Sequence, residues 1–292
     1  QKWALFTGIC FCYRSRLAVR GFLQRPYGSY NPDATYSPVC HKDSLRTFLS
    51  ICAAENLKVY QLDVKSAFLQ ADLEEPIYMK MPPGYAENIN GEEAVLELHR
   101  AVYGLKQASS SFFTALDQHL KSKGFMPTLG DPCLYRRVNA DGTVTIVCAY
   151  VDDLTYGVTT QANADAFLAE CRERFEVPEG EGQPLDFLLG MAVSQDLERG
   201  TVHLNMELAI TKLAKGLLTP EELAKSQFVD SPMLACGLRK QTERTVAKEE
   251  FDYLSVVGSL MHIANCVRCD VAYAAGALAR HAVHPGKEHV RA

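Results

Sequence analysis

The chain has 292 residues, 47% of them hydrophobic and 22% charged, which is the composition of an ordinary soluble globular protein with length enough for a sizeable core in one multi-lobed unit or two domains. No signal peptide or membrane span is evident, the apolar run Trp3 to Tyr13 being too short to cross a bilayer and lacking a cleavage site. The net charge of −5 neither demands nor excludes nucleic acid, because what counts is where charge sits.

Residues 1 to 32 carry Lys2, Arg14, Arg16, Arg20 and Arg25 and no acid, so this segment is either a solvated basic strand pair or a surface able to meet phosphates. Two strands are expected within residues 1 to 23, the second over Leu17 to Leu23, and Asn31 to Pro38 is a loop. From Asp43 to Asn56, Leu45, Phe48, Leu49 and Cys52 recur at helical spacing, and that stripe is core. An apolar strand, Leu57 to Val64, carries Asp63 at its end. Asp72 to Tyr85 is acidic and then proline-rich, and Val95 to Leu98 reads as a strand. Tyr103 to Ala108 is a turn opening a helix, where Gly104 permits close backbone approach and the helix start offers free amides. The helix, Ser109 to Lys123, buries Phe112, Phe113, Leu116 and Leu120.

Strand Leu134 to Val138, a turn at Asp141-Gly142 and strand Val144 to Val151 follow. Leu154 to Val158 leads away again, so Asp152 and Asp153 lie at the tip of a tight hairpin. Thr160 to Phe175 is a second helix with Phe167, Leu168, Cys171 and Phe175 inward. Together these predict an α+β fold, an antiparallel sheet with the two helices on one face. A hairpin at Phe187 to Met191 precedes short strands at Val193 and Val202 to Leu204. Helices are expected over residues 207 to 227, then an extended exit, a charged mobile linker over 238 to 250, and an apolar helical region from Tyr253 to Leu278.

Ten cysteines without framework spacing suggest reduced thiols in an intracellular compartment. Cys266-x2-Cys269 followed by His281-x2-His284 approaches a zinc pattern, but the histidines are too close and the cysteines lie in a helical pattern. Buried thiols are the default there, with zinc the alternative.

A lone Asp-Asp is more readily a solvated turn than a site. Asp63 changes that, because two strand-end carboxylates far apart in sequence can converge on one hard cation. A pair of such ions about 4 Å apart activates an attacking hydroxyl and stabilises a leaving oxygen.

An ordered series of stretches gives this chemistry a family. Arg16 to Phe22, Tyr36 to Val39, Gln61-Leu62-Asp63-Val64-Lys65-Ser66-Ala67-Phe68-Leu69, Asp72 to Met79, Val102 to Ala108, Asp131 to Tyr135, Tyr150-Val151-Asp152-Asp153, Phe187 to Met191 and Val257 to Met261 together resemble the reverse transcriptase of Ty1/copia-type retrotransposons. The resemblance covers nearly the whole chain and implies a right-hand polymerase, its antiparallel palm sheet backed by helices. It implies fingers over 1–38 and 71–107, palm over 39–70 and 108–196, thumb over 197–232, and a linker with part of a connection over 233–292. It implies catalytic Asp63, Asp152 and Asp153, and two Mg²⁺ ions (or Mn²⁺) on these and the Val64 carbonyl. Arg20, Lys65, Ala67, Phe68, Tyr103 and Gln107 would bind the nucleoside triphosphate, with Phe68 as the steric gate against a ribose 2′-hydroxyl. Leu188, Leu189 and Gly190 would form the primer grip.

Implied partners are an RNA or DNA template with primer, deoxynucleoside triphosphates, and the other Pol segments, ribonuclease H and integrase; no membrane is implied, and the implied location is a cytoplasmic particle. Gln1 and Ala292 read as cuts in a longer polyprotein. The chain departs from its family at Ser109-Ser110, where Pro-Arg is usual, at Phe112 for Trp, and at Cys269 for Pro. The rival expectations are an inactive relic that keeps the fold and at most binds nucleic acid, and another two-metal enzyme such as a nuclease, which has no use for a steric gate or a primer grip.

Overall fold

The computed structural model describes residues 4–7, 10–13, 17–82, 84–85, 87–89, 91–225, 231–233, 238–243 and 245–292, the first two stretches by backbone alone. The chain divides into two compact units, Gln1–Leu185 with Leu197–Thr201, and Asp186–Asp196 with Val202–Ala292.

In chain order the first unit has strands β1 (Ala4–Thr7) and β2 (Cys10–Tyr13), helix α1 (Lys42–Ala54), and strands β3 (Lys58–Asp63), β4 (Asp72–Lys80), β5 (Asn88–Ile89), β6 (Glu92–Glu93) and β7 (Val95–Arg100). Helix α2 (Ala108–Ser122), strands β8 (Met126–Pro127), β9 (Leu134–Val138), β10 (Val144–Tyr150) and β11 (Asp153–Val158), helix α3 (Gln161–Arg172) and strand β12 (Gln183–Pro184) complete it. At its centre is an antiparallel sheet of order β12-β3-β11-β10-β9-β8.

Both faces of this sheet are covered, which is why β10 is buried along almost its whole length instead of alternating. On one face Tyr60, Tyr156, Val147 and Tyr135 line up across four strands. Helices α2 and α3 pack there, as the sequence predicts: the Tyr156 ring lies 4.7 Å from that of Phe167, and the Tyr135 hydroxyl donates to Asp117 at 3.0 Å. On the other face α1 comes so close at Gly157 that an added Cβ would lie 2.5 Å from Cys52 Sγ. Phe48, Leu49 and Cys52 are buried on α1, and Phe112, Leu116 and Leu120 on α2, as the stripes predicted, whereas Phe113, expected with them, is only half-buried. Helix α3 starts with Thr160 capping the Asn163 amide.

Two segments differ from expectation. Leu17 to Leu23 is not a strand: residues 17–20 are irregular and Gly21–Leu23 is a turn of 3-10 helix. Its backbone is taken instead by the turn at Tyr103, with the Val19 amide donating to Tyr103 O at 2.7 Å. A Cβ on Gly21 would lie 1.9 Å from Gly104 O, and one on Gly104 2.1 Å from Val19 O, so main chain packs directly on main chain. The acidic stretch from Asp72 is a strand, β4, paired with β7, with a register shift between Asp72 and Ile77 that accommodates Pro76.

The second unit contains strands β13 (Phe187–Leu188), β14 (Met191–Asp196) and β15 (Thr201–Asn205), then helices α4 (Glu207–Leu217), α5 (Pro220–Lys225), α6 (Tyr253–Cys266), α7 (Ala272–Ala279) and α8 (Lys287–Arg291). Its core is Tyr253, Val257 and Leu278, with the Tyr253 hydroxyl donating to Leu278 O at 2.9 Å. The stretch expected as a mobile linker, 238–250, is tied to the C-terminal segment: the buried His289 ring bonds to Arg239 O at 2.9 Å, Thr245 N to Pro285 O at 3.2 Å, and Gln241 to Glu288 at 3.0 Å. Cys266 lies within α6 against His262, and Cys269 is exposed. No helix among the described residues is long and apolar enough to cross a membrane.

Candidate active site

Tyr150 and Asp153 are direct partners across the β10–β11 hairpin, so its loop is only Val151 and Asp152. Val151 has φ 58° while Asp152 stays in the ordinary negative range, the pattern of a type II′ turn. That position favours glycine; a β-branched residue there stores about 1–3 kcal/mol of strain, held only because β3 and β9 flank the hairpin on either side.

Asp63 ends β3 directly opposite Asp153 on β11. The Val64 amide donates to Asp152 O at 3.1 Å, the bonding pattern that leaves Asp63 and Asp153 as a non-hydrogen-bonded pair. Such pairs have Cα atoms about 4.5 Å apart and side chains closest together on one face of the sheet. Asp152 joins them from the turn. Partial desolvation, then the negative charges of Asp152, Asp63 and Glu181, push the Asp153 carboxyl up to about 6.

Glu181 is a member of this cluster that sequence reasoning missed. Its Oε2 accepts the Asp63 amide at 2.9 Å, although 118 positions separate them. Nothing in Glu179-Gly180-Glu181-Gly182 distinguishes one acid of a glycine-rich turn from another.

The donor set suits a hard cation, being carboxylate oxygens and one available carbonyl. Among the described residues no group of three or more His, Cys, Asp or Glu side chains forms a ready-made metal cage. Mg²⁺ needs none, since it takes one or two carboxylates and completes its shell with water and substrate phosphates. Partial burial contributes most to the raised Asp153 carboxyl, and the neighbouring carboxylates add negative charge of the kind a divalent cation relieves.

Five residues beyond Asp63, Phe68 is half-buried with its ring edge-on to Tyr103, centroids 4.9 Å apart. Ala67 is buried at the start of the intervening 3-10 turn, after Ser66 in the left-handed region. Gln107 accepts from Gln24 Nε2 at 3.1 Å, and Gln24 Oε1 accepts the Lys106 amide at 2.9 Å. Gln24 therefore fixes Gln107 and is a second residue the sequence did not single out. Arg20 is exposed on the segment that rests on Tyr103 and Gly104. The Lys65 ammonium pairs with the Glu176 carboxylate, and the Lys65 amide donates to Glu176 O at 3.0 Å. The expected nucleotide-binding residues thus fall into two groups, Phe68, Tyr103, Gln107 and Arg20 around the turn at Gly104, and Lys65 and Ala67 beside the carboxylates.

Leu188, Leu189 and Gly190 belong to the second unit. Leu188 and Met191 are direct partners, so Leu189 and Gly190 form a two-residue turn with φ 50° and 86°, a type I′ arrangement. The turn lies over Met206 and His262, which approach Gly190 from below.

The family profile described as reverse transcriptase (RNA-dependent DNA polymerase) matches residues 8–234. The Pol polyprotein of transposon TNT 1-94 from Nicotiana tabacum is 32% identical over 95% of this chain, which spans 21% of that relative's length. A putative transposon Ty5-1 protein of Saccharomyces cerevisiae is 30% identical over 78% of this chain and 71% of its own length. The Ty1-H Gag-Pol polyprotein of the same yeast is 25% identical over 94% of this chain and 15% of its own. A solved telomerase from Candida albicans aligns over 83% of this chain at 10% identity with a TM-score of 0.29, too slight a likeness to bear on the fold.

Proposed function

The chain belongs to the reverse transcriptase family of Ty1/copia-type Pol polyproteins, and from that premise we propose that it is an RNA-directed DNA polymerase, extending a primer 3′-hydroxyl with deoxynucleoside triphosphates on an RNA or DNA template. The observation that carries this reading is the side-by-side placement of Asp63 and Asp153 with Asp152 on the adjoining turn.

Asp63 and Asp152, with Asp153 and the Val64 carbonyl beside them, would hold two Mg²⁺ ions, which when bound lower the pKa of the primer hydroxyl and neutralise charge on the triphosphate. Asp63 and Asp153 sit on paired strand ends and Asp152 on the two-residue turn beside them, so their spacing is set by sheet register and the turn before substrate arrives. Phe68, with only two side-chain torsions and its edge against Tyr103, acts as a rigid wall where a 2′-hydroxyl would project. Gln107, anchored by Gln24, floors the pocket, and the Arg20 guanidinium binds triphosphate oxygens bidentately. Ala67 and Lys65 act through their main chain, the Lys65 ammonium being engaged by Glu176. Leu188, Leu189 and Gly190 grip the primer terminus. Fingers over 1–38 and 71–107, palm over 39–70 and 108–196, and thumb over 197–232 complete the assignment, with the connection beyond. Ribonuclease H and integrase segments of a parent polyprotein are its partners in the same reading.

The test is primer extension on an RNA template with Mg²⁺ or Mn²⁺ beside an Asp152→Asn control. Template-coded DNA from the wild type alone is the expected result. Equal product from both would place the chemistry elsewhere, and tight template binding with no product would leave a binding protein.

A further inference from the structure

We infer that Glu181 is a positioning residue of the carboxylate site: it fixes the main chain of Asp63 from the sheet's open edge and raises the site's affinity for divalent cations. The inference rests on the polymerase reading above and concerns residues outside the set that reading uses.

Strand β3 needs such support. Its pairing with β12 involves only Tyr60 and Gln61, so β3 runs beyond its edge partner before it reaches Asp63. Because Asp63 and Asp153 are a non-hydrogen-bonded pair, the Asp63 amide points away from β11 toward that vacant edge. A strand there would satisfy the amide with a carbonyl. In this chain a side chain does so, Glu181 Oε2 at 2.9 Å.

The segment that carries Glu181 is itself stitched to both sides of Asp63. Before it, the Gly182 amide donates to Gln61 O at 3.1 Å and the Leu185 amide to Val59 O at 2.9 Å. After it, the Lys65 amide donates to Glu176 O at 3.0 Å and the Glu176 carboxylate takes the Lys65 ammonium. The Gln70 side chain accepts the Glu176 amide at 2.5 Å and donates to Glu176 O at 3.3 Å. Residues 176–185 therefore act as a strap along the edge of the catalytic strand, with Glu181 at the position of the carboxylate.

The choice of a glutamate is informative. An asparagine or glutamine oxygen would serve the amide without adding charge to a site that already holds Asp63, Asp152 and Asp153, and Glu181 is one of the charges acting on Asp153. A second acidic layer is unfavourable for an empty carboxylate cluster and favourable for one that holds cations, where groups behind the ligands set orientation and field.

The experiment measures Mn²⁺ binding to the full chain by electron paramagnetic resonance, without nucleotide, together with kcat and KM for primer extension, on Glu181→Gln, Glu181→Ala and Asp63→Asn. Glu181→Gln keeps an acceptor for the Asp63 amide and loses only charge, so it should weaken Mn²⁺ binding about threefold. Glu181→Ala loses both, and should weaken binding about 10-fold or more and lower kcat while KM for the nucleotide stays within about twofold. Wild-type Mn²⁺ affinity in Glu181→Ala, or equal losses in both variants, would overturn the inference. If Asp63→Asn also binds Mn²⁺ as the wild type does, the carboxylate site itself is misread; if Asp63→Asn loses binding and Glu181→Ala does not, only the role of Glu181 fails. Should Glu181→Ala not fold, as judged by circular dichroism, Glu181→Gln decides alone: an unchanged Mn²⁺ affinity overturns the inference.

Discussion

Among the described residues, two hairpins have two-residue turns in which a bulky side chain has positive φ, Val151 in one and Leu189 in the other. They solve the same geometric problem differently. At Leu189-Gly190 both residues have positive φ, and the glycine takes half of the demand at no steric cost. At Val151-Asp152 no glycine is present, the first residue is β-branched, and the second bears a carboxylate. The strained turn is also the better supported one, lying between β3 and β9 in the large sheet, with the Asp152 carbonyl taken by Val64. Local strain survives where the surroundings over-determine the backbone. The difference teaches that in this chain rigidity is concentrated at the turn that carries charge.

Substitutions at the two turns sharpen that contrast. The largest effect is expected from Asp152→Asn, which should lower primer extension by at least about 100-fold, measured as kcat at saturating Mg²⁺. No change at Leu189-Gly190 should approach that figure while the fold is intact.

Next is Gly190→Ala. A Cβ there meets only ordinary contacts, His262 Nε2 at 3.5 Å, so the cost is conformational, about 1–2 kcal/mol. Denaturant titration with hydrogen exchange read on residues 187–193 would check it; an unchanged stability would mean that the turn is not held in the type I′ form.

A pH effect of about 1 kcal/mol distinguishes the charged turn. With the Asp153 carboxyl raised from 3.8 to about 6 in the folded chain, the folded state keeps a proton that the unfolded state has released. Stability in the absence of divalent cations should therefore fall as pH rises from about 4 to about 6 and level off above, with Asp153→Asn removing that slope. Asp153 is exposed, and screening by water holds the effect to that size. A stability rising through the same window in the wild type relative to Asp153→Asn would contradict the carboxylate crowding.

The smallest effect is Val151→Gly. Relief of the strained φ is offset by added freedom of the unfolded chain and by lost packing in the crevice with Phe112, Leu116 and Ala149. Thermal unfolding should show a change within about 0.5 kcal/mol of zero, and a loss several times larger would mean that Val151 is chiefly a packing residue.

What the sequence made legible follows from the range of each interaction. Helical stripes such as Phe48, Leu49 and Cys52, and the alternation leading into Tyr150, are local patterns, and they placed α1, α2, α3 and the β10–β11 hairpin within a few residues. Asp63 and Asp152 stood out because each ends an apolar run. Strand β4 was hidden because its two-stranded ribbon leaves most of its residues exposed, and Pro76 argues against a strand. Leu17 to Leu23 misled because its apolar residues suggest a strand, whereas Phe22 and Leu23 are exposed and what packs is the backbone at Gly21. The ordering of Gln107 by Gln24 and of Asp63 by Glu181 rests on single polar contacts between distant segments, which leave no periodic trace.

The two tight glycine contacts imply different histories of permitted change. At Gly157 the atom in the way is a side chain, Cys52 Sγ, so a lineage could acquire alanine at 157 if position 52 shrank to alanine in compensation, and the two positions should covary. At Gly21 and Gly104 the obstruction is a carbonyl of the main chain, which no mutation can trim. Drift should be able to cross the first barrier in paired steps, and should find the second closed from either side.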